Sequence, residues 1–271
     1  MPDQKTIYTH HADQYELLVA REDYQHQIFE ALDQICPLAG LRIVELGAGT
    51  GRLTLSLADV AEHIVAFDAS RHMLSTTQAK LRQFDIQNQR RHPHWQVAVA
   101  DHRYLPVGDQ RADLVIAGWT IAYLVVWHEP LEHPTSKASG ATTWHDELDK
   151  ALRAMKRVLR PDGTIIILET LGTGYEKPKI PKGFEDYYKY LEEAGFNRRW
   201  IRTDLAFETL LRSQGIDGLL LWRRDGRKGG GRENGNGTRM HWYLVEKGLT
   251  FAKRKRGTIC GIGLGIGDIR I

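Results

Sequence analysis

The chain of 271 residues has only two cysteines, Cys36 and Cys260, far apart and in no metal-ligand spacing. Neither a disulfide scaffold nor a cysteine-rich zinc site is expected, and a reducing compartment fits this usage. No apolar run approaches the roughly 18 residues of a spanning helix, and Met1–Lys5 shows no basic stretch followed by an apolar one. No membrane association and no signal peptide are expected, and the location expected is cytoplasmic. A Gly-x-x-x-x-Gly-Lys-Ser/Thr loop is lacking, which excludes a phosphate-cradling nucleotide triphosphatase loop. There is little excess charge of one sign: the net is +3. Residues 223–256 hold eleven Lys/Arg against three Asp/Glu, so the remainder carries about −5. The body of the chain therefore lacks the basic face that phosphate binding needs, and nucleic acid could enter only through the basic tail.

What is present is ordinary globular material, 42% hydrophobic and 26% charged, which excludes wholesale disorder. The length suits a single α/β domain with a full core. Residues 13–35 have helical spacing of apolar side chains and stop at Pro37. Short apolar runs predict strands at Leu41–Leu46, Ile64–Phe67, Trp95–Val99, Leu114–Ala117 and Ile165–Leu168. Helical patterns at 53–61, 73–84 and 147–159 separate or precede them, the last closing at the turn signal Arg160-Pro161-Asp162-Gly163. Such alternation predicts a mostly parallel sheet covered on both faces. A further helix is predicted at 185–193, a strand at 199–203 and a seventh at Leu219–Trp222. Gly226–Gly237 reads as a linker. Cys260–Gly267 alternates glycine with aliphatics, a strand pattern with no packing on one face, and its order is doubtful on composition.

The segment Val44-Glu45-Leu46-Gly47-Ala48-Gly49-Thr50-Gly51-Arg52-Leu53 sits where the first strand turns into a helix. Glycine admits positive φ and close ligand approach, and the helix start offers unpaired N–H groups. Arg52 occupies the place of the third glycine of a dinucleotide fingerprint, which argues against NAD or FAD. Asp68 ends the second strand, 17 residues after Gly51, where a carboxylate can accept from ribose hydroxyls. Asp101, followed by His102, ends the third strand, where a carboxylate and a backbone N–H can read an adenine edge. Each acid taken singly also reads as a loop cap. Their order at successive strand ends points to a nucleoside ligand.

With these residues the chain resembles the class I S-adenosylmethionine-dependent methyltransferases, of small-molecule type, over roughly residues 8–205. The resemblance rests on Glu45–Gly51, on Phe67-Asp68-Ala69-Ser70 with Met73-Leu74, on Ala100-Asp101, on Ala112–Val115 and on Leu159–Thr164. It implies a doubly wound, Rossmann-like sheet of seven strands, mostly parallel with one antiparallel strand, and S-adenosyl-L-methionine as cofactor. It further implies that Gly47, Ala48, Gly49, Thr50 and Gly51 pass under the cofactor and that Glu45 supports its amino-acid end. Asp68 and Ala69 would meet the ribose, Met73 the adenine face, and Asp101 with His102 the adenine edge. Gly118 and Trp119 would lie near the methionine portion. Tyr8 and Tyr15 resemble tyrosines that close over the cofactor. The expected organisation is an N-terminal helical cap (1–37), a methyltransferase domain (38–223), and a Gly/Arg-rich linker with a C-terminal tail (224–271).

The methyl acceptor is approached by exclusion. Amino methylation of nucleobases in this superfamily uses an Asn/Asp/Ser-Pro-Pro-aromatic motif after the fourth strand, where this chain reads Ala117-Gly118-Trp119-Thr120. Cytosine C5 methylation needs a cysteine nucleophile, and Cys36 lies before the first strand. Paired glutamates for arginine methylation do not flank the fourth strand. A small-molecule acceptor is therefore expected, with Trp119, Tyr123 and Trp127 as pocket walls. His128 and His145 are the candidate general bases if the acceptor is a hydroxyl; exposed histidines of a long insert are the plainer account of both. Tyr187, Tyr188 and Tyr190 read as a lid or as helix packing. His10-His11-x-Asp13 reads as a polar arm, and no metal is expected. Two alternatives stay open: an RNA or protein methyltransferase that holds its polymer with the basic tail, and a non-catalytic partner subunit of the same fold. The oligomeric state is not legible.

Overall fold

The computed structural model describes residues 23, 26–90, 94–128, 142–173, 179–180, 183–207 and 258–270. In chain order these form α1 (Gln27–Ile35), β1 (Arg42–Leu46), α2 (Arg52–Val60), β2 (His63–Asp68), α3 (Arg71–Gln87), β3 (Trp95–Val99), β4 (Ala112–Gly118), α4 (Tyr123–His128), α5 (Trp144–Val158), β5 (Leu159–Thr173), α6 (Glu185–Glu193), β6 (Asn197–Phe207) and β7 (Thr258–Arg270). Tyr8, His10, His11, Asp13, Tyr15, His133 and the run Leu219–Trp222 lie outside the described residues.

The sheet order is β3-β2-β1-β4-β5-β7-β6. Strands β1 to β5 pair parallel to one another. The apolar runs have the composition of strands buried on both faces, and side-chain alternation assigns each residue to one. Along β4, Leu114 and Ile116 join Ile28, Leu32, Leu57, Ile64 and Leu81 from α1, α2, β2 and α3 in one core. Val115 and Ala117 face the other way and join Leu148, Leu152 and Met155 of α5 with Tyr187 and Leu191 of α6. Strand β5 splits likewise, Ile166 and Leu168 to the first core and Ile165 and Ile167 to the second. A register slip of one residue would exchange the two sets, so the pattern itself fixes the register. Helix α5 is held at its start by a capping box between Thr143 and Asp146.

Two features differ from the sequence expectation. Arg160–Gly163, a turn signal, lies inside β5, where register slips between Ala112↔Leu159 and Leu114↔Thr164. The turn is accommodated as an irregularity, with Asp162 at φ 65°. Its neighbour Arg160 forms an ion pair with Asp113, which also accepts from the Arg42 N–H at 2.8 Å. The glycine-alternating segment, doubtful on composition, runs as β7, antiparallel to both β5 and β6. A strand paired on both sides is held by backbone hydrogen bonds that need no side chain, which is why glycine content misleads there.

Candidate functional site

The sheet changes direction between β1 and β4, and in an open α/β sheet the crevice beyond the carboxyl ends of the strands at such a point takes ligands. The glycine loop lies there. Gly47, Gly49 and Gly51 have φ of 74°, 55° and 89°, conformations that a side chain resists. Gly47 and Ala48 donate to the Phe67 carbonyl at 2.8 and 3.0 Å, anchoring the loop to β2. A Cβ on Gly47 would stand 2.5 Å from Cβ of Thr120, whereas one on Gly49 would meet nothing nearer than 4.0 Å. Thr120 thus closes the loop on one side, and Gly49 leaves it open on another. Thr77 Oγ1 donates to the Gly49 carbonyl at 2.7 Å and Lys80 Nζ to the Thr50 carbonyl at 2.9 Å, fastening the loop to α3.

Glu45, on β1 below the loop, is 1% exposed, and its Oε2 has no hydrogen-bond partner among the described residues. Burial pushes its carboxyl up to about 8, against a small lowering by the Thr54 hydroxyl and with a further rise from Asp68. A neutral acid in this position is what desolvation dictates in the absence of a counter-charge. Asp68 is raised by burial, offset by two backbone donors: Gly49 N at 2.8 Å on Oδ2 and Ser70 N at 2.7 Å on Oδ1. It is a loop cap, yet each carboxylate oxygen keeps a second lone pair for a hydroxyl. Met73 is buried, with its N–H on Ser70 Oγ at 3.3 Å. Ala48 and Thr50 are buried, and Ala69 is exposed. Asp101 is held down at about 2, first by the side chain of Arg103, which engages both its oxygens. Arg103 continues to Glu147 on α5, which also pairs with Lys150. His102 is lowered by burial, and its Nε2 has no partner among the described residues. Both members of this pair keep hydrogen-bonding capacity, the imidazole at Nε2 and Asp101 at the second lone pair of Oδ2.

Past β4, the missing side chain of Gly118 makes room for Leu53, whose Cδ1 would lie 2.9 Å from a Cβ there. Trp119 has a left-handed φ of 52° and donates its N–H to Leu168 at 2.8 Å. Its ring carries the Arg52 guanidinium at 4.5 Å. Tyr123 and Trp127 stack at 5.7 Å, and Trp127 is exposed. Trp144 is a core residue, with His145 stacked on its ring at 3.5 Å and itself exposed. The side chain of His128 lies outside the described residues. Tyr187 and Tyr188 are buried, and Tyr190 donates to Asp149 at 2.6 Å, so these three pack α6 and do not form a lid.

Sequence reasoning missed Glu169. It sits on β5, one residue beyond the pair Gly118↔Leu168, and is 4% exposed. Its Oε1 accepts from the Ala122 N–H at 2.9 Å and the Tyr187 hydroxyl at 3.2 Å. Burial raises its carboxyl to about 7. The signal was available: an acid directly after the apolar run Ile165–Leu168. Thr120 and Thr77 gave none, because their partners are distant in sequence; Arg103 stands two residues from its partner Asp101, a local signal that was passed over.

The doubly wound sheet, glycine loop and strand-end acids define a nucleoside-binding α/β protein. Residues 43–163 match the family described as methyltransferase domain. Over that segment, somewhat less than half of the chain, the protein is similar to methyltransferase domains. Among curated relatives, the demethylmenaquinone methyltransferase of Lactobacillus johnsonii is 28% identical over 154 residues, 56% of this chain and 52% of that one. A ubiquinone/menaquinone biosynthesis C-methyltransferase of Vibrio vulnificus is 32% identical over 174 residues, 57% of each chain. The chain thus spans about half the length of these relatives. A solved putative methyltransferase from Bacillus halodurans aligns over 89% of this chain and 97% of its own, at 17% identity and a TM-score of 0.47. No helix among the described residues is long and apolar enough to cross a membrane.

Proposed function

We propose that the protein transfers a methyl group from S-adenosylmethionine to a small-molecule acceptor. The observation that carries this reading is the buried Glu45, partnerless at Oε2 among the described residues, beneath a glycine loop left open at Gly49. S-adenosylmethionine supplies a methyl carbon on a cationic sulfonium, which an acceptor can displace in line. Glu45 holds the ammonium of its amino-acid end, the Gly47–Gly51 backbone lies beneath it, and the spare lone pairs of Asp68 take the ribose hydroxyls. His102 and Asp101 border the adenine, and Gly118 and Trp119 face the methionine portion. Alignment of acceptor, methyl carbon and sulfur supplies roughly 7–11 kcal/mol of the barrier without a protein base. The relatives' names favour an aromatic quinol acceptor, for which the stacked Tyr123 and Trp127 offer a wall. In this reading β6 and β7 complete a seven-stranded sheet with one reversed strand, and the enzyme is cytoplasmic.

Calorimetric titration with S-adenosylmethionine and S-adenosylhomocysteine, with NAD and ATP as controls, tests the cofactor. Micromolar binding of the first two alone is expected; no binding by folded protein overturns the reading. The basic stretch 223–256 favours a second reading, in which it holds a polymeric substrate. Neutralising its Lys and Arg residues, with β7 left intact, should abolish salt-dependent polymer binding in that case and leave small-molecule turnover unchanged in ours.

A further inference from the structure

The turn between β4 and α4 is the element that joins the cofactor loop to the acceptor wall. At one end Thr120 fills the space beside Gly47, and Trp119 lies under Arg52. At the other end Tyr123 begins α4 and stacks on Trp127. A left-handed, non-glycine Trp119 is strained and persists only where the surroundings over-determine it. Contacts from β5 do so: the Leu168 carbonyl accepts from the Trp119 N–H, and the Glu169 carboxyl accepts from the N–H groups of Ala122 and Ile121. Glu169 is in turn tied to α6 by the Tyr187 hydroxyl, and a nonpolar residue of the same length would pack this core without either bond. A buried acid at this place is expensive.

We propose that Glu169 is a positioning residue of the methyl-transfer site, which clamps the 119–123 turn through the Ala122 N–H and so fixes the wall between the cofactor loop and the acceptor. The proposal rests on the methyltransferase reading above. The glycine loop keeps anchors of its own that do not pass through this clamp, to Phe67, Asp68 and Thr77. Loss of the clamp therefore separates acceptor chemistry from cofactor binding.

The test compares E169A, E169Q and Y187F with the wild type in three measurements. These are hydrogen exchange at the Ala122 amide by NMR, calorimetric affinity for S-adenosylhomocysteine, and kcat and KM with a short-chain 2-prenyl-1,4-naphthoquinol. In E169A the Ala122 amide is expected to exchange at least about tenfold faster and kcat/KM to fall about tenfold or more, the scale of one charge-assisted hydrogen bond. The Kd for S-adenosylhomocysteine stays within about threefold, as additivity for separate contacts predicts. E169Q keeps an acceptor for Ala122 and recovers both exchange and turnover, and Y187F falls between. If E169A does not fold, the E169Q and Y187F comparisons decide. Wild-type protection of Ala122 in E169A overturns the proposal. So does an inactive E169Q with Ala122 protected, because the carboxyl itself would then be the requirement. A wild type that fails to bind S-adenosylhomocysteine overturns the methyltransferase reading instead, and a wild type silent only on the naphthoquinol overturns the acceptor class. In both cases exchange at Ala122 still decides whether the clamp exists.

Discussion

Glu45 is a carboxyl that the fold has removed from water without giving its Oε2 a partner among the described residues, and this sets two measurable consequences. Its folded value of about 8 stands above the ordinary 4.5, so the native state holds a proton that the unfolded chain releases between those pH values. Stability of the free protein therefore falls as pH rises from about 4.5 to 8, and E45Q lowers that slope, leaving the share that Glu169, raised to about 7, contributes below that pH. An ammonium bound beside it favours the ionised form. Binding of S-adenosylhomocysteine at pH 7 is expected to release about one proton, read as a dependence of calorimetric heat on the ionisation enthalpy of the buffer. Identical heats in two such buffers would remove Glu45 from the ligand's amino end. Asp68 has a different character, since both oxygens are already engaged by loop N–H groups. In the proposed reading Asp68→Ala removes the ribose acceptor along with a loop anchor, and affinity for S-adenosylhomocysteine should drop by roughly 10- to 150-fold, as expected for about 1.5–3 kcal/mol of charged hydrogen bonding. Unchanged affinity would leave Asp68 as a cap only.

At the scale of elements, α5 carries the wall of the second core, and its start depends on one side-chain exchange. Asp146 accepts from the Thr143 N–H at 2.8 Å while the Thr143 hydroxyl accepts from the Asp146 N–H. Thr143→Ala breaks the reciprocal pair, and Tm should fall by about 2–4 °C with cofactor affinity unchanged; an unaltered melting curve would show that packing of Trp144 alone sets the helix start. The elements themselves were well marked in the sequence where periodicity is strong. Helix α6 is found at its predicted bounds, and α2, α3 and α5 within a few residues of theirs. The strands around the glycine loop were equally plain, because doubly buried strands read as short apolar runs. What the sequence did not display were contacts across the fold. Arg103 on Glu147, Thr120 against Gly47 and Glu169 under Ala122 depend on which elements become neighbours, and local pattern carries no such information. Strand β7 was legible as a strand pattern, but glycine at alternate positions leaves one face without packing, so its order could not be inferred from composition.

For the whole molecule, β7 is the join between two parts of the sheet. It pairs with β5 from Thr164 to Thr173 and with β6 from Asn197 to Phe207, and no pairing runs directly between β5 and β6. Removing residues 258–271 leaves both neighbours with unpaired edges, a template for aggregation. The truncated protein is expected to be insoluble or to lose cooperative unfolding; a soluble variant melting at the wild-type Tm would mean that β5 and β6 close without it. The same arrangement bears on synthesis. Strands β1 to β5 can assemble as they leave the ribosome, each finding a partner made earlier. Strand β6 must wait while about 50 further residues are translated before β7, its partner among the described residues, emerges, several seconds at common elongation rates. Over that interval β6 stands with both edges unpaired, and the charges of Arg198 and Arg199 in its sequence oppose pairing with other nascent chains.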